Sequence, residues 1–171
     1  YLEKALEIDP KNDFAHYMIS GIKLENKNFF YALKSINKAI NFNPQNASYY
    51  RKKAKIQNLM GDYIGSSMAI TKAIDLNPAY ESHYLLLGEN SNELGNPKKA
   101  IEAYTKYLEI SKNQQGRSYA HYGRAESFSL LGNQVAWCSE LRTSYKIADA
   151  EYKSFLRKLL IYKYKDWSCY L

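Results

Sequence analysis

Histidine and cysteine are the side chains in this sequence best suited to ligate a metal or act as a nucleophile. They occur at His16, His83, His121, Cys138 and Cys169. A zinc site needs three or four clustered ligands, but the histidines are far apart with no partner four residues away, and the cysteines form no Cys-x-x-Cys pair. We therefore interpret the histidines as core or groove residues, Cys138 as a buried thiol and Cys169 as an exposed one. Unpaired cysteines fit a reducing compartment, so a cytoplasmic location is expected.

Carboxylates could act as a general acid and base, and Glu89, Glu93 and Glu126 are the candidates. We interpret them as solvated or groove-lining side chains. The sequence contains no GxxxxGK[ST] or GxGxxG phosphate-binding loop and no GxSxG nucleophile motif. We therefore expect a protein that is not an enzyme and that uses no metal or cofactor.

Composition excludes several other classes of protein. The 171 residues include 46% hydrophobic and 24% charged residues, which is typical of a folded chain rather than a disordered one. No stretch approaches the roughly 18 consecutive apolar residues of a membrane-spanning helix. The formal net charge is +7, which favours acidic partners.

An internal repeat sets the elements that position these side chains. Pro10, Pro44 and Pro78 are 34 residues apart, and the text around them recurs as KALEIDPKN, KAINFNPQN and KAIDLNPAY. A fourth copy, KYLEISKNQ, has Lys112 where proline is expected. Turn sequences with Gly61, Gly95 or Gly132 fall about half a period away, so each repeat holds two segments and two turns.

Both segments of a repeat are predicted to be amphipathic helices. In the second repeat they span residues 48–60 and 63–75, with apolar or small side chains at three- and four-residue spacing. The Asn-Pro pairs end the second helices, and the glycines fit left-handed helix ends. Small residues recur at equivalent positions, where helices would cross closely: Ser20, Ala54, Gly88 and Ala125 in the first helix.

With this period and this alternation of small and large residues, the sequence resembles the tetratricopeptide repeat family. The resemblance covers residues 1 to about 132. It implies an all-α fold, an α-solenoid of antiparallel helical hairpins arranged as a right-handed superhelix. Three residues depart from the family pattern. Tyr107 replaces a small residue, and Lys53 and Arg124 replace core leucines, with alkyl stems that can remain packed while the charges reach water.

The predicted organisation follows from the repeat register. After Gly132 the register fades, and a last amphipathic helix is expected to cap the array. The first nine residues match a second helix without its first, so we expect further repeats upstream. The predicted segments are 1–12 (half-repeat), 13–46, 47–80 and 81–116 (repeats), 117–149 (degenerate repeat) and 150–171 (capping helix and tail).

The resemblance also implies where a partner would bind. In this family the first helices line a concave groove that holds a peptide of a partner protein. The groove positions in this sequence are Tyr17, Arg51, Lys55, Asn58, Leu85, Glu89, Asn92, Tyr119, Tyr122 and Glu126. Tyrosine and arginine are typical of binding hot spots.

The partner is expected to be a protein or peptide, of acidic character in view of the basic run at residues 51–55. Some family members hold a chaperone's terminal carboxylate in a clamp of lysine, asparagine and arginine. Here the clamp positions lack a cation in the third repeat, so this ligand is not expected. Nucleic acid is disfavoured because no continuous basic and aromatic stripe is present; YKYKDW at residues 162–167 is the one short match.

Two other functions remain open at this point. The repeats could be the substrate-recruiting part of a larger enzyme whose catalytic domain lies outside the sequence. Alternatively, the chain could be a self-assembly module that pairs with another copy of itself.

Overall fold

The computed structural model of the chain describes the backbone of residues 2–163 and the side chains of residues 2–159. Within that range the regular secondary structure is helical, with no strand. None of the helices there is both long and apolar enough to cross a membrane. The helices are α1 Leu2–Ile8, α2 Asp13–Glu25, α3 Phe29–Phe42, α4 Ala47–Leu59, α5 Tyr63–Leu76, α6 Ser82–Glu93, α7 Pro97–Ile110, α8 Gln114–Leu130, α9 Gln134–Ile147 and α10 Ala150–Lys163.

The chain divides into two compact units, residues 1–86 (unit 1) and residues 87–171 (unit 2), with the division inside α6. In unit 1, α2 packs against α3, α4 packs against α5, and α3 also contacts α4. In unit 2, α8 packs against both α7 and α9, and α10 contacts α9. Consecutive helices joined by short turns form antiparallel hairpins, so the predicted all-α hairpin fold is confirmed.

The turns inside the hairpins adopt the left-handed backbone that the glycines predict. Gly61, Gly95 and Gly132 have φ angles of 78°, 68° and 70°. Such angles cost glycine little, because it has no Cβ to clash. In the first hairpin Lys27 takes the same role at φ 55°, without a glycine.

Asparagine and aspartate side chains satisfy free N–H groups at the first turns of several helices. Asp62 is a clear example, since its Oδ1 accepts a hydrogen bond from the Gly65 N–H at 2.9 Å. Its Oδ2 accepts a second hydrogen bond, at 2.8 Å, from the Nε2 of buried Gln57 on the preceding helix. One carboxylate therefore both caps α5 and links it to α4.

Replacing Asp62 with alanine should lower the free energy of unfolding by about 1–2 kcal/mol, because a helix cap and a partner of a buried amide are both lost. Chemical denaturation of the wild type and the variant measures the difference. Asp75→Ala is the matched control, because Asp75 lies exposed near the other end of the same helix. Equal losses for the two variants would contradict the capping role.

Small residues allow the helices of unit 1 to approach closely. Ala32 and Ala39 on α3 are fully buried with Ile36, and the cluster extends to Tyr49 and Ile56 on α4. Burial of such side chains supplies most of the stabilisation of a packed helix pair. The alternation of small and large residues in the sequence therefore corresponds to real packing positions.

The core of unit 2 is larger and reaches the last described helix. Trp137 and Leu141 on α9 are buried together with Leu156 on α10, which has no exposed surface. Ala125 on α8 completes the centre of this cluster. The predicted capping helix is thus present, and it covers apolar surface of the preceding hairpin.

Two tyrosines of α7 are accommodated by glycines. The buried Tyr104 ring lies so close to Gly88 and Gly123 that a Cβ on either would fall 2.7–2.8 Å from its Cε1 atom. Tyr107, the departure from the small-residue pattern, is buried against Gly116, where a Cβ would overlap its hydroxyl. The large side chain is tolerated because α8 has a glycine opposite it.

Another departure, Arg124, forms a partly buried ionic network. Its Nη2 donates to Glu140 Oε1 at 2.7 Å, and its Nη1 donates to Thr105 Oγ1 at 3.0 Å. His121 Nδ1 lies 2.7 Å from the other oxygen of Glu140. The arginine therefore joins α7, α8 and α9 through polar contacts.

The other two histidines are buried. His16 is 6% exposed and hydrogen-bonds to the Pro10 carbonyl at 3.1 Å, and His83 is 1% exposed. No group of three or more histidine, cysteine or acidic side chains able to hold a metal ion occurs in the described part of the chain. His16 and His83 are therefore core residues, which is one of the two roles that the sequence analysis left open for them.

The expectation that both cysteines are unpaired is wrong. Cys138 is disulfide-bonded, so the argument for a reducing compartment no longer holds, and a cytoplasmic location stays a prediction. The expectation for Cys169 lies outside the described residues. The YKYKDW match to nucleic-acid-binding sequences also extends beyond them.

Candidate functional site

In unit 1 the predicted groove residue Tyr17 is the centre of an aromatic and cationic cluster. Its ring stacks on Tyr49 at a centroid distance of 5.0 Å and lies 6.1 Å from the ring of Phe14, which is 60% exposed. Lys52 reaches over from α4, with its Nζ 3.6 Å from the centroid of the Tyr17 ring and 3.4 Å from the Tyr17 carbonyl oxygen. Gly21 leaves room for this ammonium, because a Cβ there would lie 3.0 Å from it.

Arg51, also on α4, is likewise placed over a tyrosine ring. Its guanidinium carbon lies 5.1 Å from the centroid of the Tyr80 ring. The Tyr80 ring in turn packs on the ring of buried His83, with 4.9 Å between the two ring centroids. Burial lowers the pKa of His83, and the positive charge of Arg51 lowers it further. The histidine is therefore kept neutral beside the arginine.

The charges of this surface are not neutralised locally. Among the described residues, no carboxylate forms an ion pair with Arg51, Lys52 or Lys55. Burial lowers the pKa of Lys52, and repulsion by Arg51 acts in the same direction, against a weaker attraction by Glu25. Arg51, Lys52 and Lys55, together with Tyr17 and Tyr80, are called the basic face below. An anionic group placed on this face would relieve the repulsion between its cations.

The remaining predicted groove residues of unit 1 differ in their exposure to solvent. Asn58 and Leu85 are half-buried, whereas Lys55 is exposed. Lys52 is a further candidate contact residue, which the family's groove positions do not include. The signal for it was present in the basic run at residues 51–55, but only the structure places its ammonium on the Tyr17 ring.

In unit 2 the predicted groove residues pair with one another. The Tyr119 hydroxyl donates a hydrogen bond to the carboxylate of Glu89, which joins α8 to α6. On α8 itself the Tyr122 hydroxyl donates to Glu126 Oε1 at 2.7 Å. Tyr122 is only 8% exposed, so little of its surface is open to a ligand.

Asn92 is engaged within the fold. Its Nδ2 donates to the Gly123 carbonyl at 3.0 Å, and its Oδ1 accepts from the Ser127 hydroxyl at 2.8 Å. Both bonds tie α6 to α8 where Gly123 also accommodates the Tyr104 ring. This side chain therefore positions the two helices rather than offering free hydrogen-bonding groups.

Aromatic residues of α10 extend the surface of unit 2, and the sequence analysis did not include them. The Tyr152 ring lies 6.3 Å from Tyr119 and stacks on Phe155 at 5.5 Å. Phe155 is 48% exposed and Tyr119 is 36% exposed. The amphipathic pattern of the last helix indicates an apolar face, but by itself this pattern predicts only that the helix caps the array and not that its aromatic residues join the site.

Comparison with known proteins places a family repeat in the middle of the chain. Residues 84–114 match the family model described as the tetratricopeptide repeat. No curated protein matches the sequence of this chain.

Solved structures share the fold over most of the chain. A crystal structure of MamA superimposes with a TM-score of 0.80 at 21% identity, covering 90% of this chain and 87% of that one. MamA from Desulfovibrio magneticus gives a TM-score of 0.79 at 14% identity, covering 86% of this chain and 81% of that one. The Arabidopsis OM64 TPR domain gives a TM-score of 0.63 at 19% identity, covering 68% of this chain and 94% of that one. These likenesses identify the fold as an α-solenoid of helical hairpins.

Proposed function

Since residues 84–114 match the tetratricopeptide repeat model, we propose that the protein is a non-catalytic scaffold that binds a peptide segment of a partner protein. The peptide lies along the first helices of the hairpins. Acidic side chains of the peptide contact the basic face of unit 1. The observation that carries this proposal is a set of three cations with no carboxylate partner in the described chain.

The aromatic rings of the basic face support the same function. Tyr17 and Tyr80 hold the charged ends of Lys52 and Arg51 before any ligand arrives. A site whose side chains are already positioned loses less conformational entropy when it binds. Tyrosine and arginine also contribute more binding free energy per residue than most side chains.

The test is a charge reversal on the basic face. Arg51→Glu with Lys55→Glu should reduce capture of the partner at least about tenfold, because attraction becomes repulsion at the contact. Affinity capture from the native lysate, with the bound proteins identified by mass spectrometry, measures this. The partner's binding segment can then be mapped with synthetic peptides.

The matched control is Lys34→Glu with Lys38→Glu. These exposed lysines have the same four-residue spacing but lie on α3, a second helix of a hairpin. The control should capture the partner as the wild type does. Equal capture by all three proteins would exclude the basic face as the binding site, and capture of nothing by the wild type would contradict the scaffold function itself.

A further inference from the structure

Unit 2 presents a surface whose character is opposite to that of the basic face. Glu89 of α6, Tyr119 and Glu126 of α8, and Tyr152 and Phe155 of α10 are called the acidic tyrosine face. The Tyr119 hydroxyl donates to Glu89, and the Tyr119 ring approaches Tyr152 at 6.3 Å. Tyr152 stacks on Phe155, so carboxylates and exposed rings form one connected surface.

Three of the described cations of unit 2 contact groups outside this face. Within the described residues, no lysine or arginine pairs with Glu89. On α10 the Lys153 and Arg157 side chains lie over the Tyr145 ring of α9, at 5.6 Å and 5.4 Å from its centroid. Arg124 is already paired with Glu140. The net charge of the whole protein is therefore no guide to this surface.

The carboxylate of Glu89 lies in a partly dehydrated, negative environment. Burial raises its pKa, and the charge of Glu93 raises it further, while the hydrogen bond from Tyr119 opposes the change. Burial also raises the pKa of Tyr152, and the charge of Glu126 adds to this. The contributions of Glu93 and Glu126, which are smaller than that of burial, show that negative charge lies close to this face. Negative charge of this kind favours a cation brought near it.

We propose that the acidic tyrosine face binds a lysine or arginine side chain of the partner segment. This inference rests on the proposed function and adds the chemistry of the ligand in unit 2. The cation contacts the Glu89 and Glu126 carboxylates, and its alkyl stem lies against the exposed rings of Tyr119 and Phe155. Cation–π attraction to the tyrosine rings adds to the ionic contact.

A side-chain cation fits this face better than a metal ion. The described chain contains no group of three or more acidic, histidine or cysteine ligands there, which a protein metal site requires. The exposed face of Phe155 offers no oxygen to a metal, but it offers area to the methylene groups of lysine or arginine. The residue that binds unit 2 is therefore a lysine or an arginine.

A peptide library tests the inference on the full chain. Random heptapeptides displayed on phage are selected on the wild type and, in parallel, on Glu89→Gln with Glu126→Gln. The amides still accept the hydrogen bonds from Tyr119 and Tyr122, so the fold should be retained, as circular dichroism can verify. Glu102→Gln is the matched control, an exposed carboxylate of α7 in the same unit.

The expected result is that peptides selected on the wild type and the control carry lysine or arginine at one position. These peptides should bind the double variant about tenfold or more weakly than they bind the wild type. Synthetic copies of the peptides with citrulline or norleucine in place of the basic residue should bind the wild type more weakly by a similar factor. The synthetic copies keep the test valid if the double variant does not fold.

Other results overturn the inference. Selected peptides without an enriched basic residue, or binding that is unaffected by either neutralisation, would exclude this ligand while leaving the proposed function in place. Selection of no peptide at all on the wild type would contradict the proposed function and the inference together.

Discussion

Replacement of Glu140 with alanine is expected to lower the free energy of unfolding by about 3 kcal/mol, because it leaves the mostly buried charge of Arg124 without its carboxylate partner. The side chains of Glu140, Arg124 and His121 are only 13–19% exposed, so water cannot readily replace the lost contacts. Urea denaturation of the variant and the wild type measures the difference.

The same carboxylate should make stability depend on pH. Burial alone would raise the pKa of Glu140, but hydrogen bonds with His121 and Arg124 outweigh it, so the pKa lies below the usual 4.5. A carboxyl group with a lowered pKa in the folded state stabilises the fold above the unfolded-state pKa. That stabilisation is lost as the pH falls from about 4.5 through the folded-state pKa. The difference in stability between the wild type and Glu140→Ala should therefore shrink as the solution is acidified.

An exposed ion pair provides the control for this prediction. Glu109 pairs with Lys106 at 3.0 Å, but both side chains are at least half exposed. Glu109→Ala should cost less than about 1 kcal/mol, since exposed pairs are screened by water and salt. If both variants lose the same small amount at neutral pH, the network around Glu140 is not a stabilising feature of unit 2.

Gly123→Ala should destabilise unit 2 by about 1–3 kcal/mol, because the new Cβ would overlap the Tyr104 ring and force the packed helices apart. Tyr104 is 2% exposed, and it meets Gly88 of α6 on the same side, so its ring has no free space to enter. The loss occurs although alanine favours helices more than glycine does. Thermal and urea unfolding of the variant measure it.

A double-mutant cycle separates the overlap from other causes. In a Tyr104→Ala background, which itself should cost about 3–5 kcal/mol, the Gly123→Ala change should become neutral or stabilising. Gly21→Ala is the control in unit 1, because its Cβ would meet only the terminal nitrogen of a long lysine side chain, Lys52, and no ring or backbone atom. Additive losses in the cycle would show that the Tyr104 ring is not the reason for a glycine at position 123.

Much of the fold was predictable because it depends on local preferences repeated along the chain. The predicted helices 48–60 and 63–75 correspond to α4 and α5 within one residue at each end. Left-handed glycines and helix caps act within a few residues, so their positions can be read from the text. Tyr107 and Arg124 were recognised as exceptions, but the residues that accommodate them, Gly116 and Glu140, lie on neighbouring helices.

The candidate site was predictable only in part. Family positions named residues on the first helices, yet they did not distinguish exposed Tyr119 from buried Tyr122. They omitted Lys52, whose ammonium reaches the ring of Tyr17 on another helix, and Tyr152 and Phe155 of the capping helix. The net positive charge of the chain also did not predict an acidic surface in unit 2. Lys153 and Arg157 contribute to that net charge, but their side chains lie over the Tyr145 ring.

The sequence by itself determined the repeat, the helix ends and the left-handed turns, since each depends on residues close together in the chain. Only the tertiary structure decided which polar side chains form hydrogen bonds within the fold and which lie at the surface, where a ligand can contact them. Asn92 bonds to Gly123 and Ser127 across a helix interface, whereas Arg51 is held on a ring at the surface. That division depends on contacts between residues distant in sequence, where burial and the direction of each side chain are set by packing.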